Sequence, residues 1–145
     1  MGIRNGKVSS INYAAGTAKV VYEDRGGSVT REIPFLNAGE YDMPDIGATV
    51  AVAHYDNAHE NGVILGRPYT KKSPPAEGGK GIYRKELPGG GYMRSSAEGT
   101  RISAKDITFE AKGDLPMSCS YGGTSLREIL ERLENIEARL AAGGH

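Results

Sequence analysis

The chain has 145 residues, a mass of 15.4 kDa, and 18 basic against 18 acidic residues, so its formal net charge is zero. A neutral chain is a poor general nucleic-acid binder, which needs a basic field to displace the counterions of phosphate. One cysteine, Cys119, excludes an internal disulfide framework and a Cys-based zinc site, and no apolar run approaches the roughly 18 residues of a membrane span.

Glycine (21) and proline (7) together make 28 residues, about 19% of the chain, against an average of about 12%. There are eight Tyr, two Phe and no Trp. Such a chain is turn-rich and leans toward β-structure, with little material for one large core. The segment Met1 to Lys7 has no apolar stretch for a signal peptide, and Gly6 stands where a myristoylation signal needs Ser or Thr.

Residues 1–70 read as a small β-domain. Strand-like runs fall at 7–13, 17–22, 29–34, 49–54 and 62–66. Turn chemistry bounds each of them: Gly16-Thr17, Asp24 to Gly27, Asn37 to Gly39, Asp45 to Gly47, and Asp56-Asn57. Five short strands in so few residues point to a Greek-key barrel of the OB type. This segment carries six basic and eight acidic residues.

Residues 71–91 read as a linker, stiffened by Pro74-Pro75 and loosened by Gly78-Gly79 and Gly89-Gly90-Gly91. Residues 92–121 then alternate apolar and polar positions in short runs. Ile102 and Ala104 form the first, Ile107, Phe109 and Ala111 the second, and Leu115, Met117 and Cys119 the third. Ile107 to Leu115 and Phe109 to Met117 share one spacing, so two runs are in register. That is a strand-and-turn ladder. Each run is too short to form a core alone, and the rest of the chain supplies few partners.

Residues 125–141 carry the strong helical signal. Ser125 and Glu128 form a capping box. Leu126, Leu133 and Leu140 take heptad position a, and Ile129 and Ile136 take d, with Leu130 as the main apolar addition. Leu at a with Ile at d favours three or four strands over two. Arg132 at g and Glu137 at e are placed to pair between chains. Two and a half heptads are marginal alone and need an existing oligomer.

No catalytic, cofactor or metal constellation stands out. His54 and His59, near Asp56 and Glu60, do not have a metal-ligand spacing and are read as loop-flanking residues. Cys119 sits in an apolar run and is read as a small buried hydrophobe. The Gly89 cluster lacks the downstream Lys-Ser/Thr of a phosphate loop and is read as a bend. Glu23-Asp24 and Asp42 with Asp45 flank turns, where solvated carboxylates are common.

The N-terminal segments form a recognisable series: Gly6 to Ile11, Gly16 to Val20, Ser28 to Pro34, Tyr41-Asp42-Met43-Pro44-Asp45-Ile46-Gly47 with Val50, and Asn61-Gly62-Val63-Ile64-Leu65-Gly66. Over residues 3–70 this resembles the phage baseplate assembly protein V family. These are the spike proteins of contractile tails, related to those of type VI secretion. Residues 80–121 resemble it in style, through Tyr92-Met93-Arg94-Ser95 and Gly99-Thr100-Arg101-Ile102.

The resemblance implies an N-terminal OB-fold, an intertwined three-stranded β-helix, and a homotrimer on the tail axis. It implies a virion or tail-like particle assembled in the host cytoplasm. The spike would cap the tail tube, bind baseplate hub and tube proteins, and meet the target envelope without stable membrane insertion. The expected trimer interface is Ile102, Ile107, Phe109, Leu115 and Met117 in the ladder, and Leu126, Ile129, Leu133, Ile136 and Leu140 in the helix. The chain departs from the family in lacking a His-x-His apex motif and a lysozyme-like insert, and in having a helix where an apex would be. It reads as a short, blunt hub plug. The alternatives are a lone OB-fold module for single-stranded nucleic acid or glycan, and a peptidoglycan hydrolase, for which no motif is present.

Overall fold

The computed structural model of the chain describes residues 2–55 and 60–143. The protein is mainly β, with several antiparallel sheets and one C-terminal helix, and divides into two compact units, Met1–Gly78 and Gly79–His145.

The first unit is organised around one long strand. β1 (Gly2–Asn12) pairs antiparallel with β2 (Thr17–Tyr22) on one side and with β5 (Thr49–His54) on the other. A register shift between Val8 and Ser10 bends β1 where it passes from one partner to the other. β5 continues to β6 (Gly62–Gly66). On the far side, β2 pairs with β3 (Ser28–Val29) and β4 (Ile33–Pro34). A parallel bridge from Phe35 to Ile64 then joins the segment after β4 to β6. The Leu36 amide donates to the Ile64 carbonyl at 2.9 Å. The pairings therefore run β1, β2, β4, β6, β5 and back to β1.

Alternation fills the inside of this ring. Successive side chains of a strand point to opposite faces, and in β2 and β5 every second residue is buried: Ala18, Val20 and Tyr22; Val50, Val52 and His54. Val8, Ile33 and Ile64 complete the core, with Ile11 and Phe35 packed against it. Gly6 has no room for a side chain. A Cβ there would lie 2.4 Å from Val20 Cγ1 and 2.8 Å from Tyr22 Cε1.

Two strand expectations change. β1 begins at Gly2 rather than residue 7, because the whole segment finds β5 as a partner. The single run expected over 29–34 is two short strands. Thr30 separates them. Its hydroxyl accepts the Val20 amide at 3.0 Å and donates to the Arg31 carbonyl at 2.7 Å, so a side chain stands in for a rung of the ladder.

The second unit opens with a three-stranded antiparallel sheet, β7 (Tyr83–Glu86), β8 (Tyr92–Ser96) and β9 (Gly99–Ser103). β7 falls inside the stretch expected to be linker to residue 91. Its charged sequence, Tyr-Arg-Lys-Glu, hides it from a hydropathy reading, and pairing with β8 stabilises it instead. Arg84 lies 4.1 Å over the Tyr92 ring, a cation–π contact across that pair. The glycine cluster is the turn of this hairpin. Gly89 and Gly90 hold φ of 81° and 82°, a region open chiefly to glycine. The hairpin β10 (Pro116–Cys119) and β11 (Gly122–Ser125) leads into α1 (Leu126–Gly143). The expected run of Ile107, Phe109 and Ala111 belongs to no strand of the chain. Among the described residues, no helix is long and apolar enough to cross a membrane.

Candidate functional site

The two units bury their apolar residues very differently. Among the described residues, the buried hydrophobic core residues all fall from Val8 to Ile64. In the second unit, Gly91 and Ser125 are the only buried positions among the described residues, and α1 has none. A chain normally covers its large apolar side chains, and a contiguous uncovered set marks a surface that meets something else.

Eight of the ten expected interface residues are among the exposed apolar residues of this unit, together with Tyr83, Tyr121 and Leu130. Ile102 lies on β9 opposite Met93, and Met117 on β10 opposite Thr124. Ile107 and Phe109 sit in the unpaired segment between those strands. All four are exposed, Phe109 to 70%. Leu115 and Ile129 are half-buried. Leu126, Leu133, Ile136 and Leu140 are exposed along α1, the last to 69%.

Part of the set converges. Phe109, Ala111, Leu115, Leu126 and Leu130 line an open groove of about 400 Å³ beside the first turns of α1. Ile102 and the distal helix residues Leu133, Ile136 and Leu140 do not line it. On the β10–β11 hairpin, Met117, Cys119 and Tyr121 border a second hollow. Tyr121, at the turn, is 98% exposed and was not among the expected residues. Cys119 is exposed rather than buried. A two-stranded hairpin leaves both faces open, so membership of an apolar run does not bury it.

The groove is held by Asp114, which no sequence motif singles out. Its Oδ1 accepts the Leu115 amide at 2.8 Å and the Arg127 amide at 3.0 Å, and the Leu126 amide donates to the Leu115 carbonyl at 3.0 Å. The helix start is thus fastened to the residues that precede β10. Hydrogen bonding from the Ser125 side chain first, and from the Arg127 amide next, holds the Asp114 carboxyl below its usual range. Ser125 also accepts the Glu128 amide at 3.3 Å, half of the expected capping box. The other half differs, because the Glu128 carboxylate accepts from Thr124 Oγ1 at 2.9 Å. No spacing rule signals Asp114, since its partner lies thirteen residues ahead.

His54 is buried in the first unit, with Nε2 at 2.6 Å from the Tyr22 hydroxyl and Nδ1 at 3.1 Å from the Asn61 carbonyl. It is an interior residue, not a loop-flanking one. His59 and Asp56 lie outside the described residues. Glu23 pairs with Lys7 at 3.0 Å and Asp42 with Arg67 at 2.5 Å, both exposed and of small energetic weight. Among the described residues, no three His, Cys, Asp or Glu side chains gather in a way that would hold a metal.

No protein-family model matches the chain, and no curated protein matches it in sequence.

Proposed function

We propose that the chain is the central spike, or hub plug, of a contractile phage tail or tail-like particle, working as a homotrimer without catalysis. The uncovered apolar residues of the second unit carry the reading. Ile102, Ile107, Phe109 and Met117 belong to strands, and to a segment between them, that one chain leaves open. Three copies around an axis supply the missing strands and cover the missing faces, which is what an intertwined β-helix does.

The first unit supports the same reading. The sheet runs β3-β2-β1-β5-β6 with β4 paired to β2, and the Phe35–Ile64 bridge beside β4 brings that end back to β6; a five-stranded barrel of this kind is what the OB reading expects. The resemblance of residues 3–70 to the baseplate assembly protein V family rests on the Met43-Pro44-Asp45-Ile46-Gly47 and Gly62-Val63-Ile64-Leu65-Gly66 segments. The second of these contains β6, which closes that ring. In such a spike the OB units face the hub and tube, and the ladder points to the target envelope.

The solution mass tests the reading. Three copies of the 15.4 kDa chain sediment near 46 kDa. A stable monomer of 15.4 kDa would overturn it and favour the stand-alone OB-fold binding module.

A further inference from the structure

We propose that α1 is a parallel, in-register trimerisation helix, whose Leu/Ile stripe is covered by the same stripe of two further copies of this chain. The inference rests on the trimeric reading above. It adds the occupant of this face and the direction in which the copies run.

The stripe is exposed and narrow. Leu126, Leu133, Ile136 and Leu140 are 42–69% exposed, and Ile129 is half-buried. The face opposite carries Arg127, Glu131 and Glu134. Leu130 at e widens the stripe in the first turns, where it lines the groove with Phe109 and Leu115. Beyond it the seam is confined to a and d, which fits between like helices, whereas a helix lying on a globular core needs a broader apolar face along its length. Leu at a and Ile at d then exclude the two-stranded preference.

Charge selects the direction. In a parallel bundle, a g residue of one helix faces the e residue five positions later on its neighbour. Arg132 at g would meet Glu137 at e, an attractive pair repeated three times around the axis. In an antiparallel arrangement g faces g, and Arg132 and Arg139 would meet their equivalents in repulsion. The flanking charges therefore favour only the parallel form.

The attachment of the helix selects the register. The Leu126 and Arg127 amides are bonded to Leu115 and Asp114, so each helix starts at a fixed point of its own ladder. Three ladders aligned on one axis would deliver three helix starts at one height. Eighteen residues span roughly 27 Å at 1.5 Å per residue, too short a helix to associate firmly alone. The ladder raises its effective concentration, and the bundle in turn locks the ladder register.

Disulfide trapping in the full chain tests this. With Cys119→Ser and Ile136→Cys, mild oxidation should link two of the three chains in a sample that sediments as a trimer. Glu131→Cys, on the outward face, should not link. A trimer that fails to link through position 136, or links equally through 131, would overturn the bundle and leave the spike reading intact. A monomeric parent would overturn both. A charge exchange provides a second test that does not touch the seam. Arg132→Glu and Glu137→Arg should each lower the temperature at which the helical circular dichroism is lost, and the two together should restore it. Single exchanges without effect would remove the parallel register.

Discussion

The Tyr22 hydroxyl and His54 Nε2 meet at 2.6 Å inside the first unit, with their rings tilted by 59° and centroids 5.5 Å apart. The contact joins β2 to β5 across the interior, although β1 lies between them in the sheet. His54 Nδ1 faces the Asn61 carbonyl, which can only accept, so Nδ1 carries the proton. In the neutral imidazole Nε2 is then the acceptor and Tyr22 the donor. Tyr22→Phe should leave a buried acceptor without that donor and cost about 1–3 kcal/mol. Urea unfolding of the two proteins, at equal slope, measures it.

The same pair sets a limit at high pH. Burial raises the Tyr22 phenol above its ordinary value of 10.0, with Asp24 adding to the rise and Arg4 opposing it. The unfolded chain therefore gives up this proton before the folded one does. Stability is full below about pH 10 and falls as pH climbs through the raised folded value. Tyr22→Phe should flatten the part of that alkaline decline due to this group. An unchanged slope above pH 10 would assign the decline elsewhere.

Gly6→Ala should destabilise the first unit by about 1–3 kcal/mol, the usual cost of overfilling a packed core. The new Cβ would press on Val20 and Tyr22, and Tyr22 cannot retreat without loosening its bond to His54. Combining Gly6→Ala with Tyr22→Leu, which removes the ring, should cost less than the sum of the two changes. Strict additivity in thermal unfolding would show that the ring is not what excludes the methyl.

Much of this architecture was legible, for particular reasons. β2 and β5 alternate buried and less buried positions without a break, so period two reveals both strands and inward residues such as Val20 and Val52. The heptad in α1 is equally plain. β7 was not legible because its stability comes from cross-strand pairing, including Arg84 with Tyr92, and charge masks it. The division of 29–34 depends on where one Thr30 hydroxyl bonds, which no periodicity encodes. The exposure of Ile102, Ile107, Phe109 and Met117 was legible as an excess of apolar positions over partners within one chain. Asp114 was not, because its role depends on a fold-back that brings residue 114 to residue 127.

Asp114→Asn should loosen the start of α1. The carboxylate receives the Leu115 and Arg127 amides and hydrogen bonding from Ser125. Because its folded value lies below 3.8, the contribution is present above that pH. It is lost as pH falls through the lower folded value. Hydrogen exchange at the Arg127 amide should accelerate in the variant at neutral pH, and in the parent only under acid. Equal protection in both proteins would show that the helix start does not depend on this carboxylate.

Ile107→Ser with Phe109→Ser separates a monomer from a trimer most directly. Both side chains are largely solvent-facing in one chain, 48% and 70% exposed. Exposed substitutions away from special features change the stability of a monomer by no more than about 0.5 kcal/mol. In a trimer whose ladder covers these residues, each loss is repeated three times. Burying one such side chain contributes about 1.5–3 kcal/mol. The assembly should therefore dissociate at concentrations where the parent holds together, while Tyr22 and the rest of the first-unit core keep their unfolding transition. Leu65→Ser supplies the control, since Leu65 is also exposed, at 42%, but lies on β6 in the other unit. Sedimentation reads both variants. A fall in mass with the ladder pair and none with Leu65→Ser places the interface on the 102–117 face. An unchanged mass with both would remove that face from the interface, because six apolar side chains cannot leave a buried seam without weakening it.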